Sequence, residues 1–296
     1  MKLIKTIGLI ALLTIIQIIA MMIATQLIQF GPNFALTQEE ASQSGSLLAA
    51  ISAINSVMIF YFFRRVKNTD YKLLFWFAFA WFGIGTVMGQ TDTWYYIDAF
   101  PLLNNSLVLK ICLMQFINTI LVIPASFFII SRKSNKLISI DIRKVLNLNI
   151  LKYLLFISIV YTILYYLAGY FIAWQFDAIR VHYAGSLEKL LFFDHTLQLV
   201  KSQPDFFPFH ILRGTLWFSF GIPVFMALNK GKKEYYIFSF FLFALIPSLQ
   251  LFLPNPLMSE AVRMAHFIET SISNGIFGII AACVWQRYNS QLSNSL

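Results

Sequence analysis

Charge is scarce in this chain. Asp, Glu, Lys and Arg make up 12% of its 296 residues, against about 25% in soluble domains. So little polar surface cannot cover a body of this size in water, which excludes a soluble fold and leaves lipid as the solvent. Cysteine is scarcer still. Cys112 and Cys283 are the two present, each inside an apolar run and in no CxxC spacing. That excludes a disulfide framework and a thiolate metal cluster, and the pair reads as buried small hydrophobes. Several enzyme signatures are missing as well. There is no GxSxG, no P-loop and no HExxH. An aspartate-rich prenyl-diphosphate motif is absent too. Glu39-Glu40 lacks the histidines that follow the paired glutamate of intramembrane CAAX-type proteases. No 20–50-residue repeat stands out.

What is present is apolar length. Hydrophobic residues make up 58% of the chain and the mean hydropathy is +0.71. A spanning helix takes about 20 largely apolar residues. Segments of that kind run over 6–29, 46–63, 73–90, 107–130, 150–174, 208–228, 236–254 and 262–285. The expected fold is therefore an all-α integral membrane protein, a bundle of about eight transmembrane helices forming one polytopic domain over residues 1–296. The first run is longer than a signal h-region and lacks an A-x-A-like site, so it is expected to be retained. Gly85 with Gly89, and Ser271 with Gly275, have the spacing that lets helices approach closely. Pro124, Pro223 and Pro247 fall inside segments and are candidate kinks.

The net charge of +9 sets topology and does not signal nucleic acid, because the basic residues lie in short runs between apolar segments. With eight crossings, one side receives Lys2, Lys5, Arg64, Arg65, Lys67, Lys72, Arg132, Lys133, Lys136, Arg143, Lys144, Lys152, Lys230, Lys232, Lys233 and Arg287. Only Asp70, Asp141 and Glu234 join them. By the positive-inside rule that side is cytoplasmic and holds both termini. A bacterial cytoplasmic membrane is the expected location. His182, His195, His210 and His266 all fall on the outer side.

The outer side also gathers the polar groups. In VRMAHFIETSISNG, with Ser259 as the N-cap, Arg263, His266 and Glu269 lie roughly 6, 10 and 15 Å along one helix, three apart and on a shared broad face. His210 and Arg213 repeat the spacing in PFHILRGTLWF. Asp92 and Asn118 are expected at the same depth. Intramembrane ionisable groups mark functional sites more often than chance would, and guanidinium suits phosphate or carboxylate. The expected site is an outward-facing pocket in the outer leaflet. His266 and Glu269 are its catalytic pair, and Arg213, Arg263, His210, Asp92 and Asn118 bind substrate. A structural lock, with Arg213 paired to Glu269, is the competing reading. No motif requires a cofactor; a metal, or a haem held by His210 and His266, is the minority reading. Asn55, Gln115, Tyr161, Tyr165 and Tyr166 are expected to bond across helices.

The outer connection 175–207 carries a short amphipathic helix, with Leu187, Leu190, Leu191 and Leu197 on one face and Ser186 as its cap. Three functions fit the sequence. One is binding or processing of a lipid-linked anionic group, with membrane lipid as the partner. The second is carriage of a small solute or ion. The third is a non-catalytic accessory or structural subunit, whose protein partner the sequence does not name.

Overall fold

A computed structural model describes residues 2–31, 37–66, 71–130, 149–228 and 232–294. Lys67, Asp70, Arg132, Lys133, Lys136, Asp141, Arg143, Lys144 and Lys230 lie outside the described residues. The only regular structure among the described residues is helix, with no strand among them. In chain order the helices are α1 Lys2–Ile28, α2 Gln38–Arg65, α3 Tyr71–Phe82, α4 Met88–Tyr95, α5 Asn105–Ile130, α6 Asn149–Phe171, α7 Asp177–Ala184, α8 Phe192–Ser202, α9 Phe206–Ala227, α10 Lys232–Ser248 and α11 Glu260–Asn294. Seven helical runs are long and apolar enough to cross a membrane: Leu3–Ile28, Gln38–Arg65, Tyr71–Tyr95, Asn105–Ile130, Asn149–Gln175, Lys233–Phe252 and Glu260–Gln291. The chain is a multi-pass integral membrane protein. The 22-residue α9 is not among the seven, because His210 and Arg213 dilute its apolar character.

The chain forms two compact units. The first holds residues 1–140, 223–230 and 252–258. Its α2 begins eight residues before the expected segment. Thr37 forms a capping box with Glu40, each side chain taking the other's backbone N–H, which satisfies two of the donors a helix start leaves open. A π-helical turn over Gly83–Val87 carries α3 into α4 without a break, so the third run reaches Tyr95. Phe62 of α2 and Phe77 of α3 stack at 3.8 Å and 9°; Phe63 packs edge-on against both, and Phe127 packs edge-on against Phe63. Gln17 of α1 donates to Ser56 of α2 at 2.8 Å, a buried polar bond of the kind expected between membrane helices. Cys112 is half-buried and Cys283, in the second unit, is exposed, so neither is the fully buried hydrophobe the sequence implies.

The second unit holds residues 141–222, 231–251 and 259–296, and with them α6, α7, α8, α10, α11 and most of α9. Helices α10 and α11 pack along their lengths, as do α6 and α11. Gly278 comes so close to α10 that an added Cβ would meet Ser239 O at 2.5 Å. The connection after α6 differs from expectation. Residues 186–191 are not helical, and Ser186 caps no helix; its Oγ accepts from Glu188 N at 3.0 Å in a local turn. The helix starts at Phe192 instead, after an additional helix, α7. The reason lies in where the carbonyls go. The buried Arg180 guanidinium donates to Trp174 O, to Leu187 O and to the Asp177 carboxylate, and Tyr170 Oη donates to Leu190 O at 2.9 Å.

Helix α8 is then fastened to the end of α6. Tyr166 Oη bonds Thr196, and the His195 ring lies against Tyr170 at 5.2 Å and Trp174 at 5.0 Å. Burial holds the His195 pKa below its ordinary 6.5. The folded protein thus favours the neutral ring. Its contribution is complete above about pH 6.5 and is lost as pH falls below that value toward the lowered one. Hydrogen exchange of α8 amides, corrected for intrinsic rate, is expected to accelerate between pH 7.5 and pH 5. In His195→Gln that acceleration is expected to disappear.

Candidate functional site

The site is built from the start of α11. Ser259 caps it: its carbonyl accepts from Arg263 N at 3.0 Å and its Oγ from Val262 N at 3.4 Å. Glu260 occupies the first turn, where the helix dipole favours a negative charge. The phase so fixed turns Arg263 and Glu269 inward, 7% and 3% exposed. His266 lies between them with a side chain 21% exposed. Its Nδ1 meets Glu269 Oε2 at 3.2 Å and its Nε2 meets Tyr183 Oη, from α7, at 3.0 Å.

The polarity of this chain follows from its ends. A carboxylate can only accept, so His266 donates from Nδ1 to Glu269. In the neutral ring the lone pair is then on Nε2, and Tyr183 donates its hydroxyl proton to it. A buried carboxylate, an oriented imidazole and a hydroxyl in line form an arrangement able to move a proton. Tyr183 and His266 also meet edge to face at 5.6 Å and 88°. His182, next to Tyr183, has its pKa lowered by burial and, secondarily, by the charge of His266.

The second group stands on α9. His210 and Arg213 are 0% and 3% exposed. They meet at 3.3 Å between Arg213 Nη1 and His210 Nδ1, and the arginine donates, so His210 presents its lone pair there. The His210 ring stacks on Tyr165 at 3.9 Å and 27°. The Arg213 guanidinium lies over Tyr161, Tyr165 and Phe209, at 5.7, 5.2 and 5.8 Å from their centroids. Such contacts stabilise a desolvated cation by about 2 kcal/mol or more. The close fit of α9 on α6 makes this possible. Gly214 lies so near that a Cβ there would stand 2.7 Å from the Ser158 Cα, and Thr215 and Ser158 share a 2.7 Å hydroxyl hydrogen bond beside it.

Of the residues expected at the site, His210, Arg213, Arg263, His266 and Glu269 are all in the second unit, and all but the half-buried His266 are buried. Asp92 and Asn118 belong to the first unit, on α4 and α5. The side-chain partner of Glu269 is His266, on its own helix, rather than the cross-helix Arg213. Tyr183, Tyr161, Tyr165 and Phe209 are the participants sequence reasoning missed or assigned elsewhere. Among the described residues no group of three or more His, Cys, Asp and Glu could hold a metal. Both nitrogens of His266 are engaged, so the pair His210 and His266 does not offer free axial ligands for a haem. Comparison with family models, with curated proteins and with solved structures finds no match.

Proposed function

We propose that this protein binds and processes an anionic, lipid-linked group at the outer leaflet of a bacterial cytoplasmic membrane. One observation supports the reading above the rest: two arginines and a carboxylate–imidazole–phenol chain occupy one helical unit of a membrane protein, where a charged group that is neither paired nor in reach of water costs on the order of 3 kcal/mol and where such groups commonly serve a site. Arg213 and Arg263 hold the anion, His266 moves the proton and Glu269 orients His266. Lipid is the favoured source because the apolar surface leads to the site's own loop. Leu151, Leu155, Ile159, Ile163, Leu167 and Phe171 form an exposed stripe along α6. Phe171 stacks on Phe192 of α8 at 5.2 Å, and Phe193, Leu197 and Val200 continue the exposed apolar face. In this reading α8 lies in the lipid interface.

The test uses the thermal stability of purified protein with phosphatidylglycerol, phosphatidylcholine or inorganic phosphate added. Phosphatidylglycerol is expected to raise the melting temperature most, by the equivalent of about 2.7 kcal/mol at a hundredfold excess over Kd. Equal shifts from the two lipids contradict the reading, and a shift from phosphate alone assigns the site to a free anion.

The proposed topology has α9 as an eighth crossing and both termini in the cytoplasm. With Cys112 and Cys283 replaced by serine, an impermeant maleimide outside the cell is expected to label Gln198→Cys. It should spare Phe193→Cys, shielded by lipid, and reach Ser290→Cys only after permeabilisation. Labelling of Ser290→Cys in intact cells contradicts the topology.

The aromatic cage of Arg213 favours a second reading, an accessory subunit in which His210 and Arg213 only lock α9 to α6. That reading expects no difference between the two lipids.

A further inference from the structure

We propose that Tyr183 is the nucleophile of this site, receiving a phosphoryl group from a phosphodiester. The choice of phosphoryl substrate rests on the anion reading above; the reactivity of Tyr183 rests on the relay alone.

A phenol is a weak nucleophile until a base takes its proton. Here the base is in place. His266 Nε2 stands 3.0 Å from Tyr183 Oη, within the range over which a general base acts. Glu269, 3% exposed, fixes the tautomer by taking Nδ1–H at 3.2 Å. Tyr183 itself is half-buried and His266 partly open, so a substrate can approach the pair. The phenol is also held still: α7 packs on α11, and α7 is tied to the preceding turn by Arg180, which bonds Trp174 O. Arg263 precedes His266 by one helical turn, on the same broad face, a fitting position for the equatorial oxygens of a phosphorus under attack. Tyr183 is 83 residues from His266 in sequence, so the pair is brought together by the packing of α7 on α11.

The step balances without a further reactant. Tyr183 Oη forms a bond to phosphorus as its proton passes to His266 Nε2. The P–O bond to the leaving alcohol breaks, and the alkoxide takes that proton from His266. A second hydroxyl, from water or another alcohol, displaces Tyr183 by the reverse proton path.

An alkyl fluorophosphonate probes this directly, with fluoride as the leaving group. Labelling rates at individual tyrosines are read by mass spectrometry of the intact, detergent-solubilised protein after digestion. Tyr71 is the internal reference, a phenol 70% exposed with no histidine partner. Tyr183 is expected to label about 100-fold faster than Tyr71, the lower end of what general-base assistance provides. In His266→Gln it is expected to fall to the rate of Tyr71, and in Glu269→Gln to lie between. A Tyr183 rate no greater than that of Tyr71 in wild type overturns the proposal, and this comparison needs no variant to fold. A rate unchanged in folded His266→Gln overturns it as well. Fast labelling of Tyr183 together with failure of the lipid test leaves the nucleophile standing and removes the phosphodiester.

Discussion

Gly214→Ala lowers the melting temperature of the purified protein by the equivalent of about 2 kcal/mol or more. The new methyl would stand 2.7 Å from Ser158 Cα, 2.9 Å from Tyr161 Cβ and 3.0 Å from Ser158 O. These atoms are backbone or directly attached to it, so no side-chain rotation makes room, and α9 must move off α6. Overpacking of this kind costs about 1–3 kcal/mol. The same displacement breaks the Ser158–Thr215 hydroxyl bond and opens the cage over Arg213. Three other glycines make the comparison specific. Gly278→Ala meets the Ser239 carbonyl at 2.5 Å and is expected to be as costly. Gly275→Ala meets only the far edge of the Phe240 ring, which can swing away, so its cost is smaller. Gly169 has nothing within 4 Å, and Gly169→Ala is expected to be neutral within about 0.5 kcal/mol. Equal melting temperatures for Gly214→Ala and Gly169→Ala contradict the packing described for α9.

The second large effect is an asymmetry inside the Glu269–His266 pair. His266→Leu leaves the Glu269 carboxylate, 3% exposed, without the N–H it accepts at 3.2 Å. Removing one partner of a buried polar pair costs about 3–5 kcal/mol when an ion is left behind. Glu269→Gln instead keeps a carbonyl oxygen for Nδ1–H and leaves no charge, so about 1 kcal/mol is expected. In the double variant His266→Leu/Glu269→Gln much of the His266→Leu penalty is recovered, because the orphaned group is no longer an ion. Thermal denaturation of the four proteins measures this cycle. Additive losses would show that the two side chains do not act on each other.

The fold class was legible because apolar length is a strong signal and survives local irregularity. The spans broke down where tertiary partners took over. The leucine pattern over 187–197 resembles one amphipathic helix, yet Arg180 and Tyr170 claim the carbonyls of Leu187 and Leu190, and the helix waits until Phe192. Sequence spacing identified the polar stripe of α11, since Arg263, His266 and Glu269 are related by helical period. The competing structural-lock reading pairs Arg213 with Glu269, because opposite charges at one depth invite that match. The structure instead gives each of the two a histidine three residues away and surrounds the guanidinium with rings. Cation–π contacts of this kind leave no mark in composition or period. The sequence leads one to expect Tyr161 and Tyr165 to bond across helices, and in the structure their rings also lie under the Arg213 guanidinium. Tyr183 was invisible for a different reason. It lies in RVHYAG, on a helix of eight residues, and only the return of the chain to α11 gives it a partner.

The central claim is that the buried arginines of the second unit hold an anionic lipid group. Native mass spectrometry of protein extracted in a neutral detergent tests it most directly, comparing wild type, Arg263→Ala and Arg213→Ala. The account predicts that wild type retains an anionic phospholipid and that each variant, at unchanged secondary structure by circular dichroism, loses it. Retention of the same lipid in the same amount by all three would contradict it.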